Sequence, residues 1–249
     1  MSSDRLVKLC IIGSLLLIAL GWYMADHLPA PEKLSAGMLE EPEQRPTRDK
    51  PFDTNVSGVQ YTVAPRFTYD ISGLVVSLHH SDAWWDYAHK EWNDHINIAD
   101  LCVVWGENVR RDAYRQASYT HTQWECWWQT GALPPGKGFD GTALSNNHVV
   151  TNDAAIAHVL REVKVGDEVR MRGYLIDYTT YTDGRVAGMR KTSIVRTDDG
   201  EGACEVVWVQ ELEIVRSHGH GWRVAEKVGA ALLVLALIAW ILLPAKLDD

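Results

Sequence analysis

The stretch GDEVRMRGYLIDYTT, residues 166–180, decides the fold of this chain. Apolar side chains alternate with polar ones through it, so that Val169, Met171 and Leu175 share one face while Arg170 and Arg172 share the other. Such alternation is typical of a strand with one face in a core and the other in solvent. The sequence therefore predicts a β-rich domain built around this strand.

The neighbouring segments predict the rest of that domain. NDAAIAHVLREV, residues 152–163, has apolar residues at helical spacing, and Asn152 or Asp153 can cap the helix. TDGR, residues 182–185, has the Asp-Gly chemistry of a tight turn. Four other segments read as strands by their β-branched and aromatic content: 69–80, 100–106, 119–130 and 203–215.

The resulting order is three strands, one helix and two main strands. It resembles OB-fold-like domains of uncharacterised bacterial membrane-anchored proteins, and VKVGDEVRMRGYLIDY, residues 163–178, carries much of the resemblance. The match spans about residues 69–215, with extra material at 80–100 and 130–152. The resemblance implies a mainly β domain with one or two helices, arranged as a five-stranded Greek-key barrel. A generic mixed β sandwich or barrel is the alternative.

Both ends of the chain are apolar enough to cross a bilayer. Residues 9–25 and 228–245 form two runs near the ~17–20 residues that a transmembrane helix needs. Trp22 and Trp240 lie near their ends, as interface anchors do. A cleaved signal peptide is the alternative for the first run, but its length and the poor cleavage site in ADHLPAPEK favour a retained anchor.

Arg5 and Lys8 precede the first span, which favours a cytoplasmic N-terminus. We therefore expect both termini in the cytoplasm, the main domain in the periplasm and the spans in a bacterial inner membrane. The expected organisation is a cytoplasmic N-terminus (1–8), a transmembrane helix (9–25), a tether (26–52), an extracytoplasmic OB-like domain (53–216), a joint (217–227), a second transmembrane helix (228–245) and a cytoplasmic tail (246–249).

The tether prediction depends on composition. Residues 29–51 hold five of the nine prolines together with four glutamates. A segment with few core-forming residues is typically extended and solvated.

The formal net charge of −9 repels phosphate backbones, so nucleic acid is excluded as a partner. The expected partners are membrane lipid and a protein of the envelope. The sequence predicts no cofactor.

ALSNNHVVTND, residues 143–153, concentrates polar side chains between apolar ones. Asparagine bonds to the local backbone and tolerates left-handed conformations, so this stretch reads as a stiff turn leading into the helix. The alternative is a pocket lined by Ser145, Asn146, Asn147 and His148. No catalytic residue is predicted, since there is neither a nucleophile elbow nor a template acid.

A second cluster, HHSDAWWDYAHKEWNDH, spans residues 79–95. If its second half is helical, Asp86 and His89 lie three residues apart on one face, a spacing that can hold a transition metal. The candidate ligands are His79, His80, Asp86, His89 and His95. Alternatively, the tryptophans of this segment form an aromatic lid and the polar residues are solvated.

Four cysteines allow one disulfide outside the cytoplasm. Cys10 falls in the first span, which leaves Cys102, Cys126 and Cys204. The candidate pair is Cys126 with Cys204, and buried free cysteines are the alternative.

Three functions remain open at this point. The first is a membrane-anchored, non-enzymatic interaction or assembly module of a bacterial envelope complex. The second is a metal-binding membrane protein that uses the cluster at 79–95. The third is a hydrolase-like site near His148.

Overall fold

The computed structural model describes residues 3–131, 138–197 and 204–242. The predicted tail (246–249), the last three residues of the predicted second span and the first two residues of the chain lie outside the described residues. The chain divides into two compact units, one of residues 1–27 with 218–249 and the other of residues 28–217.

The first unit is a pair of apolar helices, α1 (Ser3–Ala25) and α5 (His220–Leu242). Both are long and apolar enough to span a membrane, as the sequence predicted. They approach closely at glycines: a Cβ on Gly21 would lie 2.9 Å from Glu226, and one on Gly229 would lie 3.0 Å from Ile18. The earlier residue of α1, Ile18, contacts the later residue of α5, Gly229, so the two helices run antiparallel.

The predicted joint at 217–227 is mostly helical, since α5 begins at His220. Arg223 at its first turn donates to the Ala25 carbonyl and pairs with Asp26 at 3.0 Å. These contacts satisfy polar groups at the ends of the two helices.

The second unit is mainly β, as predicted, and its described part also contains the well-formed helix α4 (Ala154–Glu162) and the short helices α2 (Ala88–Glu91) and α3 (Gly106–Arg110). The described residues of this unit contain the strands β1 (Glu43–Pro46), β2 (Phe52–Val56), β3 (Val59–His79), β4 (Asn97–Val104), β5 (Ala117–His121), β6 (Cys126–Thr130), β7 (Leu144–Val150), β8 (Asp167–Thr182), β9 (Arg185–Arg190) and β10 (Glu205–Ser217).

Five of these strands form a continuous series of pairings. β3 pairs with β4 and β4 pairs with β7, both antiparallel. β7 pairs with β10 in parallel, β10 pairs with β8 antiparallel, and β8 pairs with β3 antiparallel. Following the pairings from strand to strand therefore leads back to β3. α4 connects β7 to β8, and Asp153 caps it by accepting from the backbone N–H groups of Ala155 and Ile156.

The main core lies on one face of these five strands. The alternation predicted for 166–180 is confirmed, because Val169, Met171 and Leu175 of β8 are buried in it. They pack with Leu101 and Val103 of β4. The predicted turn at 182–185 is also confirmed, since Asp183 and Gly184 both have positive φ angles.

The proline-rich segment is not a free tether. Met38 is 1 % exposed and packs in a cluster with Leu74 and Val104, while Leu28, Leu34 and Leu39 pack around that cluster. The Ser35 backbone N–H donates to the Glu168 carboxylate at 3.0 Å. A few apolar side chains thus hold this segment against the domain, although its composition is typical of a solvated segment. The folded domain therefore begins near residue 28 rather than at 53.

Two predictions within the domain are wrong. Residues 119–130 are not one strand but the hairpin of β5 and β6, which forms a separate two-stranded sheet. Residues 144–150 are not a turn but the buried central strand β7. The asparagines of β7 find partners on other elements of the domain, so their polarity does not place them in solvent.

Candidate functional site

The four pocket candidates on β7 point alternately to opposite faces of the sheet. Ser145 and Asn147 share one face, where the Asn147 side-chain amide donates to the Ser145 hydroxyl at 2.8 Å. Asn146 and His148 share the other face. All four are buried, so they do not line one pocket together.

The structure brings together some of the metal-ligand candidates of the 79–95 segment and leaves the others apart. His79, at the end of β3, Asp86 and His89 come together, with one ligand atom from each lying within 4.8 Å of the others. Asp86 Oδ2 is 2.5 Å from His79 Nε2 and 2.8 Å from His89 Nδ1. His80 and His95 are not part of this trio.

The start of α2 fixes the position of the Asp86 carboxylate. The Asp86 side chain is fully buried, and its Oδ1 accepts from the His89 backbone N–H at 3.0 Å where α2 begins. Burial by itself disfavours the charged carboxylate, but the hydrogen bonds from His79 and His89 outweigh it, and the pKa of Asp86 is lowered. Asp86 is therefore an anion at neutral pH.

The imidazole of His89 is held in the neutral form that a metal ion requires. Burial lowers its pKa, although the carboxylates of Asp100, Asp94 and Asp86 oppose the effect. The indole of Trp124 covers the ring at a centroid distance of 3.8 Å. His89 also lines a cavity of about 410 Å³, together with Asp94 and Asn97.

A second polar cluster lies beside the trio. Asn97 connects the two, because its side-chain amide is 3.4 Å from His89 Nε2 and donates to Asp100 Oδ1 at 2.8 Å. Asp100 Oδ1 is 2.7 Å from His148 Nδ1. The side chain of Cys204 is hydrogen-bonded to the same imidazole.

Asp100 and His148 form a buried ion pair. Burial disfavours the charge on His148, but the Asp100 carboxylate and the Cys204 side chain raise its pKa to about 9. Burial likewise disfavours the charge on Asp100, but His148 and Asn97 lower its pKa to about 2. Both groups are therefore charged at neutral pH.

Two buried oxygens between the clusters have no hydrogen-bond partner among the described residues. They are Asn97 Oδ1 and Asp100 Oδ2. A buried oxygen without a partner is costly and requires an explanation, such as an ordered water or a bound ion. Both residues lie at the link between the trio and the ion pair, so this region has the polarity of a ligand site.

The disulfide differs from the predicted pair. Cys126 is bonded to Cys102, with a Cα–Cα distance of 5.9 Å, and Cys204 is a free thiol. The hairpin of β5 and β6 brings Cys126 to Cys102, a contact that a single strand over residues 119–130 does not predict.

Sequence reasoning missed Asn97, Asp100 and Trp124 as members of the site. A signal for Asp100 was present, since it is the one carboxylate in the apolar run INIADLCVVW, residues 96–105. Carboxylates are almost never fully buried without a partner, so a charge at that place points to a buried counterpart.

Comparison with protein-family models, with curated proteins and with solved structures finds no significant match to this chain.

Proposed function

We propose that this protein is a membrane-anchored domain that binds a divalent transition-metal ion through His79, Asp86 and His89. The observation that carries the proposal is the buried trio itself, in which two imidazole nitrogens and a carboxylate oxygen converge within 4.8 Å. Imidazole with carboxylate suits zinc, copper, nickel or iron rather than calcium or magnesium.

The hydrogen bonds of the trio support this chemistry. Asp86 Oδ2 accepts from both imidazoles, so the two histidines already aim their nitrogens at one point. A metal ion bound to the two nitrogens would take the place of these hydrogen bonds, and the neutral imidazole of His89 would then carry its single proton on Nε2. The three ligands leave coordination positions for water or a small ligand that enters through the cavity beside His89.

The position of the trio within the domain also favours a ligand site. We infer that β3, β4, β7, β8 and β10 form an OB-like barrel, which is supported by the cyclic order of their pairings and by the helix between the third and fourth strands of the series. OB folds bind ligands on the face of their second and third strands and on the adjoining loops. Here those strands are β4 and β7, which carry Asp100 and His148, and the loop after β3 carries Asp86 and His89.

The proposed location is a bacterial inner membrane, with both termini in the cytoplasm and the domain in the periplasm. The Cys102–Cys126 disulfide supports an oxidising compartment for the domain. The antiparallel contact of α1 and α5 supports two termini on the same side. A reporter that is active only outside the cytoplasm should remain inactive when it is fused before Met1 or after Asp249, and activity at either end would contradict this topology.

Metal titration of the full-length protein in detergent tests the proposed function. After removal of metal with a chelator, the wild-type protein should bind roughly one zinc or copper(II) ion per chain. The His79→Gln variant should lose affinity by about 10-fold or more, since one of three ligands is removed. His158→Gln on the exposed face of α4 is the matched control and should bind as the wild type does. Equal binding by both variants, or no binding by the wild type, would refute the proposal.

A second candidate is an interaction module for an envelope protein, and one observation favours it. The segment between β3 and β4 exposes four large aromatic side chains, among them Trp84 at 84 % and Trp92 at 72 %. Exposed aromatic residues of this kind are typical of protein interfaces. Cross-linking in intact cells should capture a partner that is lost in the Trp84→Ala, Trp92→Ala double variant and kept in Met189→Ala, an exposed position on β9. A cross-linking pattern common to both variants would exclude this role for the aromatic segment.

A further inference from the structure

The side-chain amide of Asn97 lies between the trio and the buried ion pair. Asn97 begins β4 and is 1 % exposed. Its nitrogen donates to Asp100 Oδ1 at 2.8 Å and lies 3.4 Å from His89 Nε2. The contact with Asp100 fixes which way the amide points, because a carboxylate oxygen can only accept. The amide therefore presents an N–H, and not its oxygen, to His89.

This orientation suits His89 when its other nitrogen is hydrogen-bonded to Asp86. His89 Nδ1 lies 2.8 Å from Asp86 Oδ2, so the single proton of the neutral ring is on Nδ1 and Nε2 can accept. One atom has no place in this arrangement. Asn97 Oδ1 is buried and has no hydrogen-bond partner among the described residues, and a buried oxygen in that position is costly.

A metal ion on Nδ1 would reverse the hydrogen bonding on the other side of the ring. The proton of the neutral imidazole would then be on Nε2, so two N–H donors would face each other across 3.4 Å. A half-turn of the Asn97 amide removes this conflict, because Oδ1 then faces Nε2 and gains the partner that it lacks. Histidines that bind a metal through one nitrogen almost always donate the N–H of the other to an acceptor of this kind.

The ion pair allows Asp100 to release the amide. Asp100 Oδ1 is also 2.7 Å from His148 Nδ1, so its charge remains compensated when the Asn97 N–H turns away. The same amide nitrogen and oxygen cannot serve Asp100 and a metal-bound His89 in one orientation. The hydrogen bond between Asn97 and Asp100 and the occupation of the trio by a metal ion therefore exclude each other.

From this geometry we propose that Asn97 is a positioning residue of the metal site with two orientations. Its amide donates to Asp100 while Asp86 holds the two histidines through hydrogen bonds, and it turns to accept from His89 Nε2–H when the trio holds a divalent transition-metal ion. The inference rests on the metal site proposed above. It makes the surroundings of Asp100 depend on metal occupancy, although Asp100 is not a ligand.

Zinc titration of the full-length protein in detergent, near neutral pH, tests the role of the amide oxygen. Asn97→Leu has a side chain of similar size without an acceptor and should bind zinc about 10-fold or more weakly than the wild type. Asn97→Asp offers an oxygen but no N–H, and it should bind at least as tightly as the wild type. If Asn97 served only as a donor to Asp100, both variants would lose affinity alike. Asn152→Leu, the same substitution at an exposed position, is the matched control and should bind as the wild type does.

Nitrogen-15 NMR of labelled histidine and asparagine side chains observes the turn directly. Addition of zinc to the wild type should move the His89 proton from Nδ1 to Nε2, where a hydrogen bond to Asn97 protects it from exchange with solvent. The Asn97 amide protons should shift as they leave Asp100. In zinc-loaded Asn97→Leu, the Nε2–H should exchange faster.

The outcomes separate this inference from the metal site itself. If the wild type binds no zinc, both fail. If it binds zinc and Asn97→Leu binds equally well, or if zinc leaves the Asn97 amide signals of the wild type unchanged, the metal site stands and the role of Asn97 is overturned. Circular dichroism shows whether Asn97→Leu folds, and if it does not, the wild-type amide signals decide.

Discussion

Asp100 on β4 and His148 on β7 are register partners in adjacent strands, and their side chains form an ion pair of 2.7 Å that is almost completely buried. The two residues are distant in sequence, and the pairing of β4 with β7 brings them together. The pair joins the trio of His79, Asp86 and His89, through Asn97, to Cys204. Removing one partner would leave a buried charge without compensation, which typically costs about 3–5 kcal/mol.

The pair should make stability depend on pH in a defined direction. The pKa of His148 is raised from 6.5 to about 9, so its contribution is complete below pH 6.5 and is lost as the pH rises through 9. The pKa of Asp100 is lowered from 3.8 to about 2, so its contribution is present above pH 3.8 and is lost as the pH falls through 2. The free energy of unfolding of the wild type should therefore decline by about 3 kcal/mol between pH 6.5 and pH 9.5.

Urea unfolding followed by tryptophan fluorescence measures this decline. His148→Gln should be less stable at pH 6 and should lose most of the alkaline decline, because the titrating group is gone. His158→Gln should follow the wild-type curve. A His148→Gln profile that runs parallel to that of the wild type would show that the pair does not control alkaline stability.

Reduction of the Cys102–Cys126 disulfide should destabilise the domain. The bond closes a loop with a sequence separation of 24 residues, and cross-links over loops of this length contribute about 3 kcal/mol. The Cys102→Ser, Cys126→Ser double variant should lose about that amount in urea unfolding, whereas Thr120→Ser, at an exposed position on β5, should change by about 0.5 kcal/mol or less. Peptide mapping of the unreduced protein provides the second readout, and a Cys126–Cys204 peptide in place of the Cys102–Cys126 one would contradict the pairing.

Met38 tests whether the proline-rich segment belongs to the folded domain. Its side chain is 1 % exposed, so Met38→Ala should lower the free energy of unfolding by roughly 2–5 kcal/mol. Glu40→Ala, two residues away and exposed, is the matched control and should change it by about 0.5 kcal/mol or less. Equal and small effects at both positions would show that this segment is a free tether.

The elements that the sequence predicted correctly are those with a local signal. β8 follows from the alternation of Val169 and Met171 with Arg170, and α4 follows from helical spacing and the Asp153 cap. β7 could not be predicted in this way. Its asparagines are typical of turns when the stretch is considered alone, and they become strand residues only because Leu101 and Cys204 supply partners from other elements.

The same distinction applies to the candidate site. The sequence predicts His79, Asp86 and His89 as ligand candidates because all three fall in one short segment that is dense in ligand side chains. The Asp100–His148 pair and the Cys102–Cys126 bond depend on strand register and on a hairpin that folds over the sheet. Amino-acid composition does not determine strand register, so neither contact could be predicted from the sequence alone.

Gly173 tests the pairing of β8 with β10. A Cβ at this position would lie 1.9 Å from the backbone oxygen of Trp208, next to the register shift between Val209 and Glu211. Gly173→Ala should therefore force the two backbones apart and lower the free energy of unfolding by about 3 kcal/mol or more. Gly188→Ala on β9 is the control, since a Cβ there has no neighbour within 4 Å. Two variants of equal stability would show that β8 and β10 do not approach as described.

The close contact between α1 and α5 should depend on the small residue at Gly229. A Cβ there would already lie 3.0 Å from Ile18 and 3.2 Å from the Ser14 carbonyl oxygen, so Gly229→Leu should separate the helices. Close approach at small residues is a main source of helix association in membranes, where burial of apolar surface gives no advantage. SDS titration followed by circular dichroism should show earlier unfolding of the helices by about 1–3 kcal/mol. Gly13→Leu, at a position in α1 with open space around it, should unfold as the wild type does, and an equal loss in both variants would point to a general effect of leucine rather than to this contact.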